Sequence, residues 1–250
     1  MLIAFENRVV LKCVKRPSAV IKSPYVADVA DVENETSETI LAHCPSLGLG
    51  GILAPGSEMI GTPSTEGSKT SYVVQAVKDG NTWVGNVPLH ANRIVKHLLQ
   101  TGQLISNVKT VKPEHKHGES RLDFLVTLED GSCVYCEVKS VHIKANGIAV
   151  FPVGYKKPKQ NTVSERANKH LQELTTIAKD GDKAMIVLVV QRGDCDEFAP
   201  YEERDPVFAK LFKEAIESGV LCKVVYTDVS CEGITLRKIE QHITPTCTPL

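Results

Sequence analysis

The chain has 250 residues, 42% apolar and 24% charged, which allows a sizeable buried core and excludes wholesale disorder. No apolar run approaches the roughly 20 residues that span a bilayer. Glu6, Asn7 and Arg8 also interrupt the stretch where a signal peptide would be apolar, so a cytoplasmic protein with no membrane partner is expected. The formal net charge of -1 gives no global attraction for a polyanion, so any such attraction must be local.

From residue 9 to about Trp83, short β-prone runs (9–14, 25–32, 39–41, 58–60 and 72–77) alternate with turn residues including Gly48, Pro55, Gly56, Gly61 and Gly67. Such strands without helical period predict a small β-barrel of the oligonucleotide-binding (OB-fold) kind or another small barrel, spanning 1–87. A second domain is expected over 88–250. Its first helix carries Ile94, Val95, Leu98 and Leu99 on one face and stops at Gly102. Two β-prone runs, 122–128 and 133–141, flank Glu129-Asp130-Gly131, a hairpin signal. Thr162 and Glu165 read as a capping box opening a helix with Ala167, Leu171, Leu174 and Ala178 as its apolar stripe. Residues 184–190 form a continuous apolar run, as in a strand buried on both faces. Asp205 and Pro206 suit the start of a further helix with Phe208, Leu211, Phe212, Ala215 and Ile216 inward. The expected class is α+β or α/β: a barrel followed by a mixed-sheet α/β domain.

The segment that carries chemistry is Ser120-Arg121-Leu122-Asp123-Phe124, followed by Cys136-Glu137-Val138-Lys139-Ser140. Alternation puts Glu137 and Lys139 on one strand face. If Gly131 occupies the left-handed turn position, Leu128 pairs with Ser132 and Asp123 falls opposite Glu137. The other face, Leu122, Phe124, Val126, Leu128, Val134, Cys136 and Val138, is then apolar core. Adjacent carboxylates ionise together most readily around a divalent cation, and oxygen ligands suit Mg²⁺ or Mn²⁺. Lys139 would orient water or stabilise charge on phosphorus. The alternative is a polar strand face on which Glu137 pairs with Lys139 or Arg121.

Between Lys144 and His170 the positive residues are Lys144, Lys156, Lys157, Lys159, Arg166 and Lys169, against Glu165 alone. Arg121, Lys156, Lys157, Lys159, Arg166 and His170 are the candidate nucleic-acid contacts. Arg166 and His170 lie one helical turn apart and are expected either to hold a phosphate together or to be solvated surface. Cys133 and Cys136 would point to opposite faces of a strand, so they read as packed thiols, with no zinc. His115 and His117 are expected on a loop edge.

Taken together, Ala42-His43-Cys44-Pro45, Leu53-Ala54-Pro55-Gly56, Trp83-Val84-Gly85, Asn92-Arg93-Ile94-Val95, Ser120-Arg121-Leu122-Asp123-Phe124 and Glu137-Val138-Lys139-Ser140-Val141 resemble the sugar fermentation stimulation (SfsA) family. So do Ala149-Val150-Phe151-Pro152, Lys169-His170-Leu171, Gln191-Arg192 and Asp205-Pro206. The resemblance covers nearly the whole chain. It implies an N-terminal OB-fold, a PD-(D/E)XK nuclease-like C-terminal domain, nonspecific DNA binding and a regulatory role in sugar (maltose) metabolism. Ser46, Leu47 and Gly48 depart from the family's Pro-Asn-Thr-Gly, Ala167 stands where the family tends to have Gly, and extra residues lie between Val153 and Thr162. The expected function is a DNA-binding protein with Mg²⁺- or Mn²⁺-dependent phosphodiester hydrolysis at Asp123, Glu137 and Lys139, or a regulator that keeps the nuclease fold without turnover. The first helix carries no acid, and Glu119 is the candidate for a third one.

Overall fold

A computed structural model describes residues 1–33, 40–118, 120–154 and 162–241. The N-terminal strands are β2 (Val9–Lys15), β3 (Val26–Asp31), β4 (Ile40–His43), β5 (Glu58–Pro63), β6 (Tyr72–Asp79) and β7 (Thr82–Gly85), preceded by the short β1 (Ile3–Ala4). They form a sheet ordered β4-β3-β2-β5-β6-β7, and a parallel pairing of β4 with β6 curls β2 to β6 into a closed five-stranded barrel. The closure follows from alternation: Leu11, Cys13, Ala27, Val29, Met59 and Val77 point into one apolar interior, which an open sheet would expose.

The remaining strands are β8 (Val108–His117), β9 (Ser120–Leu128), β10 (Cys133–Val141), β13 (Lys183–Gln191), β15 (Leu221–Val229) and β16 (Gly233–Gln241). With β1 they make a seven-stranded mixed sheet ordered β1-β16-β15-β13-β10-β9-β8. Strands β11 (Ile143–Ala145), β12 (Ile148–Phe151) and β14 (Phe198–Pro200) add a three-stranded side sheet. Helix α1 (Leu89–Gln100) covers one face of the large sheet, and α2 (Glu165–Lys179) and α3 (Pro206–Glu217) cover the other. No described helix is long and apolar enough to cross a membrane.

The sheet centre explains itself. β13 is buried from Ala184 to Gln191 because parallel neighbours, β10 and β15, flank it and helices cover both faces. Each Val, Leu or Ile so buried contributes roughly 1.5–3 kcal/mol of transfer free energy. In α1, Ala91, Ile94, Val95, Leu98 and Leu99 form the buried stripe, and Gly102 at φ +68° continues the chain past the helix end. The helix begins at Leu89, just after Pro88.

Three expectations are corrected. The cap of α2 is Ser164, whose hydroxyl accepts from the Ala167 amide, and not Thr162. The Thr162 hydroxyl is already committed: it donates to Asp205 Oδ2 at 2.6 Å and accepts from Asn168 Nδ2 at 2.8 Å. His115 and His117 lie on strand β8 and not on a loop edge, tilted and edge-on to Tyr135 with ring centroids 5.8 and 5.0 Å away. Finally, Ile3 and Ala4 leave the N-terminal barrel region and pair with Ile234 and Gly233 at the edge of the large sheet. Only glycine fits that partner position, because at φ +150° a Cβ on Gly233 would sit 2.1 Å from the Ile3 carbonyl oxygen.

Asp205 does more than cap α3. Oδ1 accepts from the Phe208 amide at 2.9 Å, and Oδ2 accepts from Thr162 and from the Val163 amide at 2.6 Å, so one fully buried carboxylate ties the entrance of α2 to that of α3. Asp205→Ala is expected to cost about 3 kcal/mol, the sum of a lost cap and of buried donors left unpaired. Urea denaturation at pH 7 reads this as a lowered midpoint with unchanged slope, and a shift under about 1 kcal/mol would contradict the role.

Candidate functional site

The site is built on the β9–β10 hairpin. Gly131 adopts φ +84°, and the Leu128 amide donates to the Ser132 carbonyl at 2.8 Å, which sets the register that pairs Val126 with Val134 and Phe124 with Cys136. Counting one step further brings Asp123 level with Glu137. The ladder does not continue there. The two strands part, and the Val138 amide donates to Asp123 Oδ2 at 2.8 Å. Asp123 Oδ1 accepts from Asn92 Nδ2 of α1 at 2.7 Å.

This fork changes one residue's surroundings. Phe124, Val126, Val134, Cys136 and Val138 pack into the α1-side core as expected, whereas Leu122 packs into the core beneath α2 and α3. Here β9 has left β10 and is held by β8 alone, with Leu122 opposite His115 and Phe124 opposite Pro113.

Glu137 is buried, with its side chain 3% exposed, and its Oε1 accepts from Lys139 Nζ and contacts His170 Nδ1 of α2. Lys139 Nζ and His170 Nδ1 are 3.3 Å apart. Glu137 Oε2 is buried and has no hydrogen-bond partner. Burial pushes the Glu137 carboxyl upward, but the hydrogen bond from His170 and the Lys139 charge outweigh it and hold the group below its ordinary value. Asp123 goes the other way. Burial and then the Glu137 charge raise it, against weaker opposition from the Val138 amide, Asn92 and Lys139. Two neighbouring carboxylates whose titrations are driven apart, with Lys139 acting on both, mark a candidate functional locus.

Asp123, Glu137, Lys139 and His170 are thus brought together. Arg121 is exposed and bonds Glu114 Oε2 at 2.9 Å. Arg166 is exposed at the start of α2 while His170, one turn later, is buried against Glu137, so the two do not form the expected shared phosphate site. Lys156, Lys157, Lys159 and Glu119 lie outside the described residues. Lys144 is paired with Asp194. Burial raises the Cys136 thiol well above its ordinary value, which fits a packed core residue and not a nucleophile. Among the described residues, no group of three or more His, Cys, Asp or Glu is arranged to hold a metal.

Sequence reasoning missed Asn92 as a site residue and assigned His170 a different partner. The only signal for Asn92 was a polar residue within an otherwise recognisable motif. Beside the site, the barrel loop Pro45-Ser46-Leu47-Gly48 faces Pro88, Ser140 and His142 across a cleft of about 280 Å³ at the carboxyl end of β10. This loop therefore lines the approach to the hairpin.

Comparison with known proteins places this architecture. The family model described as the sugar fermentation stimulation protein RE domain matches residues 89–233, which contain the whole site. The sugar fermentation stimulation protein homolog of Synechococcus sp. (strain JA-2-3B'a(2-13)) is 35% identical over 219 residues, covering 86% of this chain and 88% of that protein. The homolog of Rippkaea orientalis is 33% identical over 234 residues, covering 90% and 93%. Pyrococcus furiosus SfsA, solved in complex with Ca²⁺, superposes with a TM-score of 0.78 at 25% identity over 95% of this chain and 96% of that one. With relatives this similar over nearly their full length, the chain belongs to the sugar fermentation stimulation protein family.

Proposed function

We propose that this protein binds DNA and that its larger domain, residues 88–250, holds Mg²⁺ or Mn²⁺ at Asp123 and Glu137 and hydrolyses phosphodiesters, with residues 1–87 as a further nucleic-acid-binding unit. The observation that carries this reading is Glu137 Oε2, a buried carboxylate oxygen with no donor, next to a second carboxylate whose ionisation is disfavoured. An unpaired buried acceptor costs roughly 1–3 kcal/mol or more when charged, and a divalent cation supplies the missing partner. The Pyrococcus furiosus relative was solved in complex with Ca²⁺, a cation that prefers oxygen ligands, which is in keeping with this reading. A bound cation would polarise a phosphoryl oxygen and acidify a coordinated water. The chain's own contribution is positional. Asn92 and the Val138 amide hold Asp123, and Lys139 supplies the fixed positive charge that would stabilise negative charge developing on phosphorus. Protein in the cytoplasm would meet both the nucleic acid and the cation.

A second reading is a DNA-binding regulator, of sugar metabolism as the family resemblance implies, that retains the fold without turnover. It is favoured by the carboxylate count, since the described site offers two acids and no third.

Mn²⁺ titration by calorimetry is expected to give one site in the wild type and at least a tenfold loss of affinity in Asp123→Asn and Glu137→Gln, because each removes an anionic ligand. Undiminished affinity in both variants would remove the metal site. In a cleavage assay over single-stranded, duplex and branched DNA, turnover should require Mg²⁺ or Mn²⁺, stop with chelator and fall on the order of a hundredfold in Lys139→Ala. No metal-dependent cleavage of any substrate by the wild type leaves the regulator reading.

DNA affinity should fall steeply with salt through local cations, since the net charge is -1. Each phosphate neutralised contributes about 0.9 to the slope of log affinity against log salt, so replacing Lys156, Lys157 and Lys159 by Gln should flatten it by up to roughly 2.7, alike for unrelated sequences. An unchanged slope would move the contacts off this segment.

A further inference from the structure

Three groups meet at Glu137 Oε1, and their proton inventory is restrictive. Lys139 Nζ carries only donors and a carboxylate oxygen only accepts, so the lysine donates to Oε1. His170 Nδ1 lies within bonding range of both Oε1, which needs a donor, and Lys139 Nζ, which needs an acceptor. It cannot serve both. The contact with Glu137 is the shorter, so Nδ1 carries the proton and donates to Oε1, while the 3.3 Å approach to Lys139 Nζ is a contact between two donors. A carboxylate oxygen has two in-plane lone pairs, and Oε1 now has two donors. It is saturated, and Oε2 remains unpartnered.

The position of His170 is itself over-determined. Helix α2 is capped by Ser164, and Asn168 donates to Thr162, which donates to the buried Asp205 at the start of α3. The ring is buried, so it has little freedom to turn away from Glu137. We infer that His170 is a positioning residue: its Nδ1–H, together with Lys139, saturates Oε1 of Glu137 and thereby fixes Oε2 as the one oxygen of that side chain offered to a divalent cation. This inference rests on the metal reading for its purpose and on the hydrogen-bond geometry for its mechanism. Groups that hydrogen-bond to a metal-ligating side chain typically change metal affinity 10–100-fold when removed.

The test uses the full chain in two measurements. Long-range ¹H–¹⁵N correlation spectra of the metal-free protein labelled at histidine nitrogen should show His170 protonated at Nδ1. A deprotonated Nδ1 overturns the inference without any variant being made. Mn²⁺ uptake, followed by the loss of the free-ion paramagnetic resonance signal, should weaken about 10–100-fold in His170→Ala and in His170→Leu. It should return to within a few-fold of wild type in His170→Asn, whose amide nitrogen takes the place of Nδ1. Equal affinity in His170→Ala overturns the role, as does a rescue by Leu as good as that by Asn, since Leu restores packing without a donor. A wild type that takes up no Mn²⁺ removes the metal reading and this role with it, whereas a wild type that binds and a His170→Ala variant that binds equally removes this role alone.

Discussion

Beyond the pairing of Phe124 with Cys136, β9 and β10 separate, and the carboxylate of Asp123 takes the Val138 amide that the ladder would have given to a strand carbonyl. The substitution of a side-chain acceptor for a backbone one keeps a buried N–H satisfied while letting the strands open. It also turns Asp123 toward α1, where Asn92 holds its other oxygen. One carboxylate therefore joins both strands of the hairpin to the helix on one face of the sheet. Without it the amide of Val138 and the amide group of Asn92 would both lose an acceptor.

The opposite face makes the matching contribution. Helix α2 sets His170 against Glu137, and the depth at which it does so depends on how α2 is seated on α3 through Asp205, Thr162 and Asn168. The two carboxylates are thus held from opposite sides of one sheet, Asp123 by α1 and Glu137 by α2. Their titrations are driven in opposite directions because burial and the Glu137 charge raise Asp123 while the contacts with His170 and Lys139 outweigh burial at Glu137. Paired groups with divergent ionisation are what acid–base and metal chemistry require.

The barrel is fixed to this arrangement by Arg192 at the end of β13. Its guanidinium is buried, bonds both oxygens of Asp194 at 2.6 and 2.9 Å, reaches Asp79 of β6 at 2.9 Å, and donates to the His142 carbonyl at 3.0 Å. A planar fork with several donors can satisfy two carboxylates and a carbonyl at once, which an ammonium on a flexible stem does less well. Gly85 at the end of β7 allows the close approach: a Cβ there would lie 2.5 Å from Gln191 Oε1. The consequence for function is the placement of loop Pro45-Ser46-Leu47-Gly48 across from Ser140, one residue past Lys139.

Much of this was legible along the chain because it depends on neighbours in sequence. Gly131 set the hairpin and its register as far as Phe124 and Cys136; Asp205 and Pro206 marked the start of α3; and the unbroken apolar run before Gln191 marked the central strand. Strand β8 was not legible. Its lysines, Pro113 and the positive φ of Glu114 break alternation, as suits an exposed edge strand whose hydrogen bonds and not its side chains define it. The contacts that make the site were also beyond the sequence. Asn92 reaches Asp123 across 31 positions and His170 reaches Glu137 across 33. The sequence by itself determined the strands, the helix faces and the acids, since periodicity and turn chemistry are local. Only the tertiary structure decided which oxygen each neighbour would occupy, because that depends on where two helices dock on opposite faces of the sheet and on the point at which two strands part.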